Sequence, residues 1–152
     1  MERNELCWCG SGKKYKKCHL MIEEKIAYHA DKGEIVPTRD MLKTIPQIEG
    51  IQKSADLNTA VLDHVAAHIH AGMSTAEIDK LVYDYTTEHG GIPAPLNYQG
   101  FPKSVCTSIN NEICHGIPDE NIILEEGDII NVDMTTAQQG GSGIWAARSE
   151  ER

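Results

Sequence analysis

The sequence predicts an α/β domain that follows a small cysteine-rich head. Three of the five cysteines fall within the first 18 residues. Between residues 44 and 90, apolar side chains recur at the spacing of amphipathic helices. Between residues 104 and 133, short apolar runs are bounded by asparagine and glycine, which is typical of strands and turns. We therefore expect a head, two helices and a short sheet, in that order.

The composition favours one domain of ordinary size with a small appendage. The chain has 152 residues, of which 40% are hydrophobic, enough for a single core. No apolar run approaches the length of a membrane span, and the first residues do not form a signal peptide, so we expect a cytoplasmic chain without a membrane span. The formal net charge of −9 argues against DNA as a partner.

The head carries four residues of the kinds that bind zinc, in a C-x-C and C-H arrangement: Cys7, Cys9, Cys18 and His19. Glycines between them allow the tight turn that would bring both pairs together. Four protein ligands suit a closed, tetrahedral structural zinc site. About twenty residues bury too little apolar surface to fold alone, so the metal would supply the folding energy. The alternative is a disordered lysine-rich tail with incidental cysteines.

The middle of the chain predicts a linker and two capped helices. Residues 21–43 form a polar segment with a short helix at its start and a linker after it. Thr44 and Ser74 each begin a capping box that opens a helix, and the first helix is expected to end at Ala71-Gly72. The inward positions include Leu62, Val65 and Ala66 on the first helix and Ile78 and Val82 on the second. On the first of these helices His64 and His68 have the spacing of a two-histidine metal site, but apolar neighbours take the inward positions. A solvated face is therefore the favoured interpretation there.

The second half predicts short strands around two chemically notable residues. Residues 104–109 and 112–114 are strand candidates joined by an Asn-Asn turn, and residues 129–132 form an apolar strand that ends at Asp133. His115 lies in the preceding loop. Metal-dependent hydrolysis needs several carboxylate or histidine ligands. Taken alone, an aspartate at a strand end is usually a turn or cap residue, and a histidine on a loop is a similarly weak sign of catalysis.

Three longer motifs carry more information: FPKSVCTSIN at residues 101–110, CHGIP at 114–118 and GDIINVD at 127–133. Together they closely resemble the corresponding segments of type I methionine aminopeptidases, and the likeness extends from about Thr44 to Thr136. The resemblance implies the N-terminal half of a pita-bread α/β fold. It also implies removal of the initiator methionine from nascent polypeptides by water activated on two divalent metal ions, whether cobalt, manganese, iron or zinc.

The resemblance also implies roles for individual residues. His115 would contact the substrate near the scissile peptide and assist catalysis, and Asp133 would be the first metal ligand. Three side chains would line the pocket for the methionine side chain: Tyr98, Phe101 and Cys106. Pro95 occupies a further pocket position.

The head resembles a second known module, the SEC-C motif, over residues 7–19. That resemblance implies a docking module rather than a catalytic centre, with the ribosome or a translocation component as the implied partner. The chain would then comprise a SEC-C-like module at residues 1–20, a linker and helix at 21–43, and a partial aminopeptidase domain at 44–136.

Beyond Thr136 the sequence departs from the aminopeptidase pattern. The family's second aspartate, its histidine and its two glutamates have no counterparts in residues 137–152. We expect a truncated chain with an incomplete metal site, no aminopeptidase activity alone, a disordered tail and an open sheet edge. A non-catalytic binding module is the alternative, and a prolidase-like protein is a third that the pocket residues oppose. The origin of the truncation (natural, frameshift or cloning) stays open at this stage.

Overall fold

The computed structural model describes residues 1–140 and 143–151. Its contacts divide the chain into two compact units, Met1–Glu49 and Gly50–Arg152. Within these described ranges, three α-helices and four strands make up most of the regular structure. The mixture of helices with an antiparallel sheet confirms the predicted α/β class. No helix in the described ranges combines the length and apolar character that crossing a bilayer requires.

The first unit contains the head and helix α1, Leu20–Asp31. Short 3₁₀ turns lie at Tyr15–Lys17 and Arg39–Met41. Within this unit the backbone of Leu6 pairs with Lys14 as an isolated antiparallel bridge, and the Ile45 amide donates to the Cys9 carbonyl at 2.7 Å. The head therefore does not hang free as a tail. Its backbone is hydrogen-bonded to Ile45, at the start of the helix that follows the predicted linker.

Helix α2 spans Ile45–His68. As predicted, Thr44 opens it: the Thr44 amide donates to Gln47 Oε1 at 2.8 Å. Its second half buries Leu62 and Val65 as expected, whereas Ala66 faces solvent. The helix ends at His68 and not at Ala71-Gly72, the end that the sequence suggests.

Helix α3, Thr75–Glu88, confirms the predicted capping box. Ser74 Oγ accepts a hydrogen bond from the Glu77 amide, and the Glu77 carboxylate accepts one from the Ser74 amide. These two bonds satisfy amides that would otherwise lack partners at the helix start. Ile78 and Val82 are fully buried, so the face that the periodicity predicts is the face that packs into the core.

The sheet is antiparallel and centred on one long strand. Strand β3, Ile130–Gly140, pairs along one edge with β1, Ile92–Pro93, and with β2, Cys106–Ile109. Along its other edge it pairs with β4, Gly143–Glu151. Because the same residues of β3 face β2 on one side and β4 on the other, β3 is an interior strand of this sheet.

Two expectations about strands are wrong. The predicted turn at Asn110-Asn111 is present, closed by the Glu112 amide and the Ile109 carbonyl at 3.0 Å, but residues 112–114 form no strand and it joins no hairpin; β2 pairs with β3 instead. The reason lies in the side chain of Asn110. It donates to Asp128 Oδ1 at 2.7 Å and accepts from the Ile129 amide at 3.1 Å, which places the start of β3 next to the end of β2.

The predicted disordered tail and open edge also need correction. In the described ranges, residues 137–140 continue β3, and Gly143–Glu151 pair with it from Val132↔Glu151 to Gly140↔Gly143. An unpaired strand edge leaves backbone amides and carbonyls without hydrogen-bond partners. Pairing with an adjacent extended segment supplies those partners. The small and polar residues of the tail favour disorder by their composition alone. Nothing in the local sequence indicates that these residues pair with β3.

One hydrophobic core lies between the sheet and the two long helices of the second unit. Its buried members come from α2, α3, β3 and the connecting segments: Leu57, Val61, Leu62, Val65, Met73, Ile78, Val82, Val105, Leu124, Val132 and Met134. A buried polar pair joins helix to strand, with Thr136 Oγ1 donating to Asn58 Oδ1 at 2.6 Å. Val132 and Met134 of β3 face this core, so Asp133 and Thr135 between and beyond them point to the opposite face of the sheet.

Candidate functional site

Four of the residues singled out from the sequence line one cavity of about 320 Å³. They are Tyr98, Cys106, His115 and Asp133. The cavity wall is completed by Ala94, Pro95 and Thr135. Residues that are far apart in the chain are therefore brought together by the pairing of β2 with β3 and by the two loops beside them.

The sheet fixes Cys106 and Asp133 opposite one another. They are cross-strand partners in the register of β2 and β3, and both side chains are half-buried. Opposite residues in an antiparallel pair project from the same face of the sheet. Thr135, two residues beyond Asp133, points to that face for the same reason, which is how it enters the cavity wall.

His115 is held at the cavity by a strained, anchored loop. Its φ of +62° lies in the left-handed region that non-glycine residues rarely adopt. The next residue supplies the anchor: the Gly116 amide donates to Ser108 Oγ at 3.1 Å, and the Gly116 carbonyl accepts from the Thr107 amide at 2.9 Å. A strained residue persists only where its surroundings determine it, so β2 fixes where the imidazole stands.

Gly116 is irreplaceable for steric reasons. A Cβ added there would lie 2.0 Å from the Thr107 carbonyl oxygen and 2.6 Å from Glu112 Oε2. Neither distance is compatible with van der Waals contact. The close approach of this loop to β2 therefore requires glycine, and any side chain would push the His115 loop away from the strand.

The aromatic loop that carries Tyr98 and Phe101 is anchored at both ends. The Ala94 amide donates to the Thr135 carbonyl on β3 at 2.9 Å, and the Ser104 amide donates to Asp79 Oδ1 on α3 at 2.6 Å. Within the loop the Asn97 amide donates to the Phe101 carbonyl at 2.8 Å. The loop is thus a closed, fixed wall beside the sheet.

Phe101 faces a second, larger cavity of about 490 Å³. This cavity shares Pro95, Tyr98, Cys106 and His115 with the first. The two cavities are therefore adjoining parts of one depression, with the carboxylate of Asp133 at one side and the aromatic loop at the other. Such a combination of apolar lining and a few polar groups is typical of a small-molecule or peptide-end site.

The metal-ligating capacity of this depression is small. Among the described residues, the one group of three or more clustered His, Cys, Asp or Glu ligands is in the head. At the cavity Asp133 is accompanied by His115 and the Cys106 thiol, and it is the one carboxylate among the side chains that the structure describes in this wall. This donor set does not fit two divalent ions held by carboxylates.

The head, in contrast, brings its four candidate ligands together. The ligand atoms of Cys7, Cys9, Cys18 and His19, here called the cysteine cluster, all lie within 4.8 Å of one another. Cys9 Sγ is 3.6 Å from Cys18 Sγ, and His19 Nδ1 is 3.3 Å from Cys7 Sγ and 3.2 Å from Cys18 Sγ. Sulfur and nitrogen ligands of a tetrahedral zinc ion stand about 3.5–3.8 Å apart. The cluster fits such an ion.

Aromatic side chains connect the cysteine cluster to α1. Trp8 Nε1 donates to Glu23 Oε1 at 2.7 Å, and the Tyr15 hydroxyl donates to Glu23 Oε2 at 2.5 Å. These bonds lower the pKa of the Glu23 carboxyl and raise the pKa of Tyr15 to about 12. The Arg39 guanidinium lies 3.4 Å from the Trp8 ring centre, a cation–π contact. Glu23 is therefore the residue that joins the head to its helix.

The thiols of the cysteine cluster differ in their protonation. A hydrogen bond from the Ser11 side chain lowers the pKa of Cys9 to about 6, whereas burial raises the pKa of Cys7. Of these two thiols, Cys9 is therefore the one that loses its proton more readily. Binding of a metal ion would ionise the remaining thiols, because thiolates are the form that coordinates.

Several residues that hold the site were not singled out from the sequence. Ser108 and Gly116 anchor His115, and Asp79 anchors the aromatic loop. Thr75 at the start of α3 donates its hydroxyl to the Asp119 carbonyl and receives the Asp119 amide. Only Gly116 carries a local signal, as a glycine between a histidine and an Ile-Pro pair. The others act through contacts that no spacing reveals.

Comparison with protein families gives two matches. The profile of metallopeptidase family M24 matches residues 49–143, and the SEC-C motif matches residues 3–20. The M24 match includes the strands and loops that form the depression. The SEC-C match includes the whole cysteine cluster.

Similar curated proteins are methionine aminopeptidases. The chain is 39% identical to that of Chlamydia trachomatis over 151 residues, which cover 94% of this chain and 50% of the relative. It is 49% identical to methionine aminopeptidase 1A of Arabidopsis thaliana over 102 residues, covering 67% of this chain and 25% of the relative. The chain spans about half the length, or less, of these relatives.

Solved structures agree with this assignment. Methionine aminopeptidase from Rickettsia prowazekii aligns with a TM-score of 0.60 at 40% identity, over 62% of this chain and 38% of that one. A Xaa-Pro dipeptidase from Bacillus anthracis aligns with a TM-score of 0.52 at 15% identity, over 88% of this chain and 44% of that one, and shares the fold alone. The predicted likeness to part of a pita-bread fold is confirmed. The chain belongs to metallopeptidase family M24, is similar to its methionine aminopeptidases, and carries a SEC-C motif in its first twenty residues.

Proposed function

We propose that this chain forms the methionine-recognising part of a metal-dependent aminopeptidase that removes the initiator methionine from nascent polypeptides. One observation carries the proposal: Tyr98, Cys106, His115 and Asp133 line a single cavity in a chain of family M24. Because nascent chains emerge in the cytoplasm, we assign the activity to that compartment.

The lining of the depression suits a methionine side chain. Phe101 and Tyr98 supply aromatic rings and Pro95 an apolar wall, and thioethers make favourable contacts with aromatic rings. Cys106, a small polarisable residue, fits against the same side chain. We therefore assign Tyr98, Phe101 and Cys106 to the methionine pocket.

His115 and Asp133 supply the polar part of the proposed site. His115 stands at the wall shared by both cavities, where an imidazole N–H can donate to the carbonyl next to the scissile bond. Asp133 lies on the sheet side of the same cavity and is the proposed ligand to a divalent ion such as cobalt, manganese, iron or zinc. Because the described side chains of this cavity include one carboxylate, we expect these residues by themselves to bind a methionyl peptide without hydrolysing it.

For the head we propose a structural zinc ion bound by Cys7, Cys9, Cys18 and His19. Four protein ligands leave no coordination position for water, so the role of such an ion is to fold the module. Four lysines around the cluster are exposed: Lys13, Lys14, Lys16 and Lys17. We propose that this basic surface docks the chain to the ribosome or to a translocation component. The comparisons give no support to a purely non-catalytic docking protein.

The proposed pocket predicts selective binding of methionyl peptides. Titration of the chain with Met-Ala-Ser, followed by NMR chemical shifts, should give a dissociation constant of about 1 mM, or about −4 kcal/mol. Gly-Ala-Ser should bind at least about tenfold more weakly, because burial of a methionine side chain contributes about 1.5–3 kcal/mol.

A pair of tyrosine variants provides the control. Tyr98→Ala should weaken Met-Ala-Ser binding by about tenfold, whereas Tyr83→Ala, on an exposed tyrosine of α3, should leave it unchanged. Equal affinity for the two peptides, or equal effects of the two substitutions, would mean that the depression does not recognise methionine.

A further inference from the structure

Two histidines of α2, away from the depression and the head, face each other across one helical turn. His64 and His68 are four residues apart, a spacing that places side chains one above the other on the same face. Their ring centres are 4.2 Å apart, with the planes tilted by 43°. His64 is half-buried and His68 is exposed, so the pair is open to ions from solvent.

The protonation of His68 is fixed by the backbone. Its Nδ1 lies 2.7 Å from the carbonyl oxygen of His64. A carbonyl oxygen only accepts hydrogen bonds, so Nδ1 carries the proton and the lone pair is on Nε2. Histidines that bind metals commonly donate their other ring N–H to a carbonyl or carboxylate in this way, which orients the ring and raises its basicity.

Helix α3 orients the His64 ring. Tyr85 lies against it with ring centres 4.6 Å apart and planes 32° apart. Tyr85 also stacks with His89, with ring centres 4.0 Å apart and planes 17° apart. The His89 Nδ1 in turn lies 2.8 Å from the Tyr85 carbonyl oxygen. The His64 ring therefore lies between His68 on α2 and the stacked pair of Tyr85 and His89. These contacts restrict the ring, so less side-chain entropy is lost when it coordinates an ion.

We propose that His64 and His68 form a surface site that binds one divalent transition-metal ion, separate from the cysteine cluster and from Asp133. Two imidazole nitrogens favour ions such as Ni²⁺, Zn²⁺ and Cu²⁺ over Mg²⁺ and Ca²⁺. Within the described ranges this pair joins no larger group of clustered ligands, so water molecules complete the coordination. The formal net charge of −9 favours the approach of a cation.

Nickel is the probe of choice because it binds imidazole without oxidising thiols. The whole chain should be titrated with Ni²⁺ by calorimetry at about pH 7.5, above the ordinary histidine pKa. One ion per chain is expected. In NMR spectra of the histidine side chains, the paramagnetic ion should broaden the signals of His64 and His68 at lower nickel concentrations than those of His29 and His70. His64→Gln and His68→Gln should each weaken binding by at least about tenfold.

The matched control is His70→Gln, which removes an exposed histidine whose Nδ1 also lies near a backbone carbonyl, that of Ala71. It should leave nickel affinity unchanged, and thermal melts should show that all three variants stay folded. Equal weakening by His70→Gln, or no loss in His68→Gln, would overturn the proposal. Release of zinc or a thiolate-to-nickel absorption band would also overturn it, because nickel would then be at the cysteine cluster.

Discussion

Replacing Cys9 with serine is expected to abolish metal binding by the head and to unfold residues 7–19. The head has a small core of its own, Cys7, Cys9 and Tyr15, so the proposed ion would supply most of its folding free energy. Structural zinc contributes about 10–16 kcal/mol in isolated modules near neutral pH. Elemental analysis should find one zinc ion per wild-type chain and none in the variant. The indole N–H signal of Trp8 should lose the shift caused by Glu23.

The control for this substitution is Cys114→Ser. Cys114 is exposed and lies outside the cysteine cluster, so its removal should leave both zinc content and the Trp8 signal as in the wild type. A wild-type chain without stoichiometric zinc, or a Cys9→Ser chain that retains it, would show that the cluster is not a structural metal site.

Gly116→Ala is expected to displace the His115 loop and to lower the free energy of unfolding by at least about 2–3 kcal/mol. The added methyl group would meet the Thr107 carbonyl at 2.0 Å, and relief of that clash must break the hydrogen bond between Thr107 and Gly116. Urea unfolding of wild type and variant measures the loss. Binding of Met-Ala-Ser should fall in parallel, since His115 leaves the cavity wall.

Gly127→Ala separates this steric effect from backbone strain. Gly127 has a φ of +93°, and a Cβ there would meet nothing within 4 Å. Only the cost of a left-handed alanine remains, about 1–2 kcal/mol, and peptide binding should be unaffected. If Gly116→Ala costs no more than Gly127→Ala and binds the peptide normally, the close approach of the loop to β2 does not determine the position of His115.

The features that the sequence predicted correctly are local ones. The capping box at Ser74 and the buried face of α3 depend on residues three and four apart, which the helix itself brings into contact. Leu62 and Val65 were assigned correctly on α2 for the same reason. The end of α2 was assigned incorrectly. Ala71-Gly72 is a strong signal for a helix end, whereas His68, where the helix does end, carries no such signal.

The strand assignments failed where pairing is not local. Residues 112–114 looked like half of a hairpin, yet β2 takes β3 as its partner because Asn110 bonds to Asp128 and Ile129. The tail looked disordered, yet Gly143–Glu151 pair along β3. Strand pairing is decided by residues far apart in the chain, and composition carries no information about it.

The candidate site was predictable in its residues but not in its supports. The resemblance assigned Tyr98, Cys106, His115 and Asp133, and the structure places all four around one cavity. Their roles in the chemistry stay proposals. Ser108 and Asp79 were missed, because a serine in a strand and an aspartate in a helix acquire meaning only once a distant amide lies within hydrogen-bond distance.

The most direct test of the account is where a bound methionine side chain lies. In an isotope-filtered NMR experiment, the methyl group of labelled Met-Ala-Ser should show nuclear Overhauser contacts to Phe101 and Tyr98. Phe101 is the single phenylalanine of the chain, so its ring signals are unambiguous. Contacts to both rings are the predicted result. Contacts to Trp8 of the head in their place, or to no aromatic ring, would contradict the assignment of the depression as a methionine site.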